Sequence, residues 1–407
     1  MIEILPKADI KNEENLSELK FKLMKHNGLY KFCLALSLVT TVPIIATSEI
    51  QRAKKKGIFK VMKTCARMVI LITFIISMFF IYRMIPLIST AMILYLIDIC
   101  GLTMQVVLYF KRYEINDALN QLCNLYHTFN AEKVADSKYV NLMLLIFSGS
   151  EIIIASGMSY FFFCQEWVSY KNDTDFLIYV PPKLREICLV FIMTSIVFSV
   201  SIGGATCGIS AILCKQVYMM IGDLIRFYRT ELKKKLRIQK LSIFIYNDIG
   251  SLKAIASLVD TVDNAFSSCA LLQYCEFSSF IFITISIAVT HQVQFRTTWM
   301  TVFISWNFVL ALGLFYMITV AGSTVYEEGE QLKKVGLECC NEISQQSLLF
   351  SDHKSRSLME LFMLLGNTRN VSLRVTGGGL FVIKRTIFLT MANAVLTYGI
   401  IMYQLDD

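Results

Sequence analysis

The hydrophobic residues of this chain are concentrated in long apolar stretches that alternate with charged segments. A helix needs about 20 mostly apolar residues to cross the hydrocarbon core of a bilayer, and seven stretches reach that length. They lie near residues 64–86, 87–110, 140–164, 186–214, 265–290, 298–321 and 380–405. The pattern predicts an all-α membrane protein with seven transmembrane helices.

A shorter apolar stretch, residues 32–47, precedes these seven and carries Pro43. Because proline removes a backbone donor and clashes with the preceding turn, it disrupts the interior of a helix. We interpret the stretch as a short re-entrant helix that enters the membrane partway from the cytoplasmic side. The expected parts of the chain are a cytoplasmic N-terminal region, a six-helix transmembrane bundle with cytoplasmic helical extensions, a cytoplasmic anchor segment and a last helix. Their bounds are 1–63, 64–321, 322–379 and 380–407.

The basic residues indicate the orientation, because Lys and Arg are retained in cytoplasmic loops. If the N terminus lies inside, 34 of the 39 Lys and Arg residues fall on the cytoplasmic side and 5 fall outside. We therefore expect an intracellular N terminus and an extracellular C terminus. Asn172, the first residue of an Asn-Asp-Thr glycosylation acceptor, then falls in an outside loop.

Two charged segments keep the apolar periodicity of a helix. Apolar residues recur at helical spacing between residues 217 and 225, so the fourth helix is expected to continue into the cytosol. Residues 355–365 also have the pattern of an amphipathic helix. The alternative is that both segments are solvated loops with helical propensity.

Composition agrees with the membrane class. The chain is 55% hydrophobic and 17% charged, with a mean hydropathy of +0.55, whereas soluble domains carry about 25% charged residues. Basic segments beside anionic lipid explain the net charge of +8, so no nucleic-acid partner is expected. The histidines are scattered without metal-ligand spacing, so we expect no metal, no cofactor and no enzymatic activity.

The last apolar stretch ends with a polar pattern: Thr397, Tyr398, five further residues, Gln404 and Leu405. A polar amide in a membrane helix is costly unless it faces a partner or water, which favours a functional role. Thr-Tyr, five residues and Gln resembles the signature of insect gustatory receptors. That family usually continues with Phe, whereas its odorant co-receptor relatives carry Leu. The segment 377–381, Gly-Gly-Gly-Leu-Phe, is similar to the Gly-Leu-Phe that precedes the family's final helix.

The resemblance implies a tetrameric ligand-gated cation channel of the plasma membrane, with a central pore lined by the last helix. It also implies that the 64–321 bundle binds the ligand. The partners it implies are a small-molecule tastant, monovalent and divalent cations, membrane lipid, and identical or related receptor subunits.

One face of the last helix is the candidate pore lining. Asn393, Thr397, Ile401 and Leu405 follow one another at intervals of four residues and therefore share a face. We expect Ile401 and Leu405 to form a hydrophobic constriction that blocks ions by dewetting. Gln404 would rotate toward the pore on opening. The alternative is that this face only packs the helix against its own bundle.

Three acidic residues lie inside predicted spans, where such residues are rare and costly. They are Asp98, Glu151 and Glu276. At 1.5 Å per residue, Asp98 and Glu151 lie roughly 15 Å from a helix end, so they could hydrogen-bond a ligand or each other. The alternative is an internal pair, or a protonated acid that hydrogen-bonds Ser, Thr or backbone groups. Small-molecule pockets combine apolar walls with a few polar groups, and the further candidates are Tyr95, Tyr160, Phe163, Phe282, Trp306 and Asn307.

The residue after Thr397 and Tyr398 narrows the ligand class. Sugar-sensing members of the family resemble one another in carrying Glu there, whereas this chain has Gly399. A bitter-type receptor for plant compounds is therefore expected. A fructose-type or other sugar receptor and an odorant-receptor-type subunit are the alternatives.

Two other seven-helix or multi-helix classes fit the sequence less well. A G-protein-coupled receptor would place its N terminus outside, against the distribution of Lys and Arg. A secondary transporter would show repeated halves and broken helices, for which Gly203 and Gly204 give one isolated hint.

Overall fold

The computed structural model describes residues 33, 36, 37, 57–84, 88–129, 137–160, 163, 180–237, 245–289, 298–347, 366, 368 and 372–406. Seven helices of more than twenty residues lie in these ranges. They are α1 (Gly57–Met84), α2 (Ile88–Thr128), α3 (Ser137–Tyr160), α4 (Pro182–Arg237), α5 (Ile245–Val289), α6 (Thr298–Ser347) and α7 (Arg385–Asp406). Two short strands, β1 (Thr376–Gly377) and β2 (Phe381–Val382), precede α7.

Several of these helices have the length and apolar composition needed to cross a bilayer. Among the described residues, five helices are long and apolar enough to cross a membrane: α1, α2, α4, α5 and α6. The apolar part of α3, Leu145–Tyr160, is shorter. The outward side chains of α1 support a lipid-facing position, because Met68, Val69, Ile72, Ile75 and Phe79 are all more than half exposed.

Four helices continue well beyond the predicted spans. Helix α4 runs through Arg237, which confirms the extension expected from its apolar spacing. Helix α2 continues 18 residues past the predicted end at residue 110, and α5 begins 20 residues before residue 265. Helix α6 runs to Ser347, so the first part of the 322–379 segment continues that helix.

Some sequence predictions fall largely on residues that lie outside the described ranges. Within the 32–47 stretch, Cys33, Leu36 and Ser37 are helical, and the side chains of Cys33 and Leu36 are fully buried. The amphipathic segment 355–365 and the glycosylation acceptor at Asn172 lie outside the described residues.

Helix α4 is the central element of the bundle and contacts α1, α2, α3, α5 and α6. Its buried face carries the small residues Ser199, Gly203, Thr206 and Ser210. These positions are spaced by four, three and four residues and therefore form one stripe along the helix. Small residues let membrane helices approach closely, so neighbouring helices can pack close to α4 along this stripe.

The closest approach lies between α2 and α4. A Cβ atom added to Gly101 would overlap the Gly203 Cα atom, and one added to Gly203 would lie 3.1 Å from the carbonyl oxygen of Ile97. The two backbones thus meet where neither residue carries a side chain. Gly203 is therefore a packing residue and not a break in a transporter-like helix.

A second pair of glycines, on α6, receives the chain that leads into α7. A Cβ atom on Gly322 would collide with Ile383, and one on Gly329 would lie 2.9 Å from the Leu373 carbonyl oxygen. These glycines are seven residues apart, about two turns of helix, and open a groove along α6. Val375 and Ile383 are completely buried there.

The triglycine segment forms a β-hairpin. Strands β1 and β2 pair antiparallel, with Thr376 opposite Val382 and Gly377 opposite Phe381. The Leu380 amide donates to the Gly377 carbonyl oxygen at 3.0 Å, and Gly378 and Gly379 both have positive φ, at 61° and 72°. Three residues, 378–380, join the two strands, and glycine adopts the positive φ values at positions 378 and 379 without steric cost. Because of this turn, α7 begins at Arg385 and not near Leu380 as predicted.

We predict that Gly101→Ala destabilises the bundle, since the added methyl group meets backbone atoms of α4 that have no flexible side chain to move. Overpacking of this kind typically costs about 1–3 kcal/mol. The measurement is the free energy of unfolding of the purified protein during titration with a denaturing detergent.

The matched control is Gly313→Ala on α6, where no heavy atom lies within 4 Å of the added Cβ. This variant should unfold at the same detergent fraction as the parent or later, because alanine favours helix over glycine. Equal stability of the Gly101 and Gly313 variants would contradict the close contact of α2 with α4.

Candidate functional site

Helix α7 has one packed face and one uncovered face within the single chain. The packed side consists of residues half-buried against the hydrophobic core: Ile387, Phe388, Met391 and Val395. On this side the Phe388 ring lies 5.3 Å from the Tyr316 ring of α6. The uncovered side includes Asn393, Thr397, Ile401 and Gln404, all exposed. The described part of the predicted pore face therefore does not pack against its own bundle.

The residues of the terminal signature divide between the two sides. The Tyr398 ring stacks edge-on against the Phe282 ring of α5, with centroids 5.3 Å apart. Thr397 is exposed, and its hydroxyl donates to the Asn393 carbonyl oxygen at 2.9 Å within the same helix. The side chain of Leu405 lies outside the described part, so its role in a constriction stays a prediction.

The base of α7 is fixed to α5 through the hairpin. Asp263 of α5 accepts hydrogen bonds from the Thr376 backbone amide at 2.6 Å and from the Thr376 hydroxyl at 2.9 Å. The Gly378 amide donates to the Ser267 carbonyl oxygen at 2.8 Å. In addition, the Phe381 ring packs 5.3 Å from the ring of Tyr274.

The first residues of α7 are also tied to α6. Arg385 forms an ion pair with Glu327 at 2.8 Å, and the Lys384 ammonium lies 4.2 Å from the centre of the Tyr326 ring. The start of α7 therefore contacts both α5 and α6.

The predicted acid Asp98 lies at the close crossing of α2 and α4. Asp98 is one turn from Gly101, and Ser199 is one turn from Gly203, so the approach of the two backbones brings these side chains together. The Ser199 hydroxyl donates to Asp98 Oδ2 at 3.2 Å, and both residues are fully buried. Ser77 of α1 faces the same carboxyl group.

The small-residue stripe of α4 continues this polar contact along the bundle. The Gln105 amide of α2 lies 3.5 Å from the Thr206 hydroxyl. The Gln273 amide of α5 donates to the Ser210 hydroxyl at 2.8 Å. The second predicted acid, Glu276 of α5, is 5% exposed and accepts a hydrogen bond from the Cys207 thiol. We call the buried members of this set, Asp98, Ser199, Thr206, Cys207, Ser210, Gln273 and Glu276, the buried polar row.

Several acceptor atoms of the buried polar row lack a hydrogen-bond partner among the described residues. They are Asp98 Oδ1, Gln273 Oε1 and Glu276 Oε2. An unsatisfied buried acceptor is costly, and polar sites of this kind hold water or a bound polar group when there is space. The row can therefore accept hydrogen bonds from water or from a ligand donor. No group of three or more His, Cys, Asp or Glu residues in the described part of the chain is arranged to hold a metal ion.

The remaining predicted ligand contacts are spread over the bundle. Tyr95, Tyr160 and Trp306 are 40–55% exposed, whereas Asn307 is buried. Phe163 packs against the core, and Phe282 contacts α7. For Glu151 the structure describes the backbone within α3, and its side chain lies outside the described part.

Sequence reasoning missed the residues of α4 that contact Asp98, Glu276, Gln105 and Gln273. Ser199, Thr206, Cys207 and Ser210 were unremarkable as single residues, but their helical spacing together with Gly203 was a detectable sign of a close helix crossing. The role of Asp263 could not be read from the sequence, because Thr376 lies 113 positions away.

Comparisons with known proteins give matches along almost the whole chain. The family model described as 7tm Chemosensory receptor matches residues 26–407. The fold is similar to that of the insect olfactory receptor OR5 from Machilis hrabei in complex with eugenol, with 13% identity and a TM-score of 0.63 over 95% of this chain and 99% of that chain. A second structure of that receptor has 12% identity and a TM-score of 0.56 over 92% and 97% of the respective chains. No curated protein matches the chain.

We predict a measurable coupling between Ser199 and Asp98. Interhelical hydrogen bonds in membrane proteins average about 0.6 kcal/mol and reach about 1.7 kcal/mol. A double-mutant cycle of Ser199→Ala and Asp98→Ala, read as the free energy of unfolding in a denaturing detergent, should give a coupling energy in this range.

Ser195 supplies the matched control, since it is buried one turn earlier on α4 and its hydroxyl donates to the Phe191 carbonyl oxygen of its own helix. The cycle of Ser195→Ala with Asp98→Ala should show coupling near zero. Equal coupling for both serines would refute a specific Ser199–Asp98 contact.

Proposed function

The chain belongs to the family of seven-transmembrane chemosensory receptors, and from this premise we propose that it is a ligand-gated, non-selective cation channel that senses tastants. The predicted membership in the chemoreceptor family is thereby confirmed. The chain is a multi-pass membrane protein, and we place it in the plasma membrane. The excess of Lys and Arg in its cytoplasmic segments supports an intracellular N terminus and an extracellular C terminus.

The observation that carries the channel proposal is the uncovered face of α7. In a bilayer, exposed Asn393, Thr397 and Gln404 would meet lipid, which is unfavourable for polar side chains. If four copies assemble around an axis, these residues line a water-filled path and the apolar Ile401 narrows it. A dewetted apolar ring blocks ions without a physical plug.

The contacts at the two ends of α7 support gating by ligand. Near its outer end, Tyr398 contacts Phe282, one of the candidate ligand residues. At its base, the hairpin and the Arg385–Glu327 ion pair join it to α5 and α6. A ligand that moves either helix would therefore move α7. Candidate ligand contacts remain Asp98, Glu151, Tyr95, Tyr160, Phe163, Phe282, Trp306 and Asn307.

Bitter plant compounds are the proposed ligand class. This choice is favoured by Gly399, which stands where the sugar-sensing branch carries Glu. The second candidate is an odorant-receptor-type subunit, which is favoured by Leu405. The two differ in whether the chain works without a partner subunit.

The direct test is whole-cell current from this chain expressed alone, while bitter alkaloids, glycosides and sugars are applied in turn. A rapid non-selective cation current with a bitter compound is expected. Current that requires a co-expressed co-receptor would favour the odorant-type subunit. No current under either condition at verified surface expression would contradict the channel proposal.

We predict that Ile401→Ser raises the ligand-independent current several-fold, because a hydroxyl group stabilises water in the constriction and removes the dewetting barrier. The measurement is basal current normalised to surface expression. Leu396→Ser is the matched control: Leu396 is also exposed on α7, but it lies about 140° around the helix from Ile401. Equal basal currents in the two variants would contradict a gate at Ile401.

A further inference from the structure

A groove between α1 and α2 opens on the outside of the bundle. Its volume is about 220 Å³. Helix α1 contributes Arg67, Met68 and Leu71, and helix α2 contributes Leu102, Gln105, Val106, Tyr109 and Phe110. Most of these side chains are apolar and exposed, so the groove offers a hydrophobic surface to whatever lies beside the protein.

The polar rim of the groove is positively charged. The Arg67 guanidinium lies 5.2 Å from the centre of the Tyr109 ring, and the Arg112 guanidinium lies 4.2 Å from the same ring. Arg112 also donates to the Tyr113 hydroxyl at 3.2 Å. The nearby acid Glu114 is paired with Lys111. Two arginines are thus held at one end of an apolar groove.

The length of the groove along α2 matches half the thickness of the hydrocarbon core of a bilayer. From Leu102 to Arg112 the rise along α2 is about 15 Å, which is half of the roughly 30 Å hydrocarbon core. Arg67 and Arg112 lie at the ends of the predicted spans, where the charge distribution places the cytoplasmic surface. Tyrosine is typical of this interfacial level. The apolar part of the groove therefore runs along the acyl chains of the inner leaflet.

We propose that this groove binds an anionic phospholipid of the inner leaflet. Arg67 and Arg112 hold the phosphate and its acidic headgroup, since guanidinium groups bind phosphate through paired hydrogen bonds. One acyl chain lies against Leu71, Leu102 and Val106. The choice of the inner leaflet rests on the proposed orientation, whereas the lipid chemistry follows from the groove itself.

The test uses the purified full-length chain in detergent and counts bound lipid by native mass spectrometry. Phosphatidylserine or phosphatidylcholine is added at equal concentration. Each of the two arginines near the membrane surface favours anionic lipid, and their effects multiply, so phosphatidylserine should be retained at about thirtyfold lower concentration than phosphatidylcholine. The double variant Arg67→Gln/Arg112→Gln should lose this preference.

Two further variants make the result specific. Arg226→Gln removes one exposed charge on the cytoplasmic part of α4 and should leave the preference unchanged. Val106→Trp fills the groove and should reduce the binding of both lipids. The assay needs neither channel current nor a particular orientation, so its failure is distinct from failure of the channel proposal.

Three results would overturn the lipid site. The first is equal retention of the two lipids by the parent chain, and the second is a preference for phosphatidylserine that survives in the double arginine variant. The third is displacement of phosphatidylserine by millimolar inorganic phosphate, together with unchanged phosphatidylserine binding by the Val106→Trp variant. That outcome would mean that the arginines bind a free anion and that the groove takes no part.

Discussion

The bundle depends on one constraint: polar groups buried in an apolar environment need partners, and the partners can meet only if the helices come close. The contact of Gly101 with Gly203 provides that approach between α2 and α4. It places Ser199 against the Asp98 carboxyl group, and the same stripe of α4 reaches Gln105 and Gln273 on neighbouring helices. Because α4 contacts five of the other six long helices in the described residues, its position fixes the arrangement of the rest.

The start of α7 follows from this arrangement by a second close approach. Gly322 and Gly329 let the 373–383 segment lie against α6, and the turn with positive φ at Gly378 and Gly379 then directs the chain into α7. Asp263 and Glu327 hold the two sides of this connection through Thr376 and Arg385. The result is a helix that is anchored at its base, packed along one side and uncovered along the other. In the proposed channel such a helix lines a shared path and stays attached to its own subunit.

The helices could be predicted from the sequence wherever apolar periodicity was long and unbroken, as in the extension of α4 to Arg237. Boundaries were predicted less well where the apolar run stopped but helical packing continued. In these extensions Leu252 and Val259 of α5, and Val325 and Leu332 of α6, are buried in the bundle. The acids Asp98 and Glu276 stood out because charged groups are costly in a bilayer. Their partners did not, since Ser199 and Cys207 have meaning only once two helices are placed together. The hairpin was recognised as a helix break from its three glycines, whereas its docking on Asp263 required the fold.

The measurement that tests the central claim most directly is the reactivity of cysteines placed on α7, read as loss of ligand-evoked current after a positively charged thiol reagent is applied. The uncovered face of α7 is proposed to line a pore, so Thr397→Cys and Asn393→Cys should be blocked, and faster while ligand is present. Ala392→Cys, exposed on another side of the helix about 140° from Thr397 and about 100° from Asn393, should be unaffected, as should the parent chain with its exposed Cys65 and Cys275. Block of the Ala392 variant with no effect on the other two would place the ion path elsewhere and contradict the account.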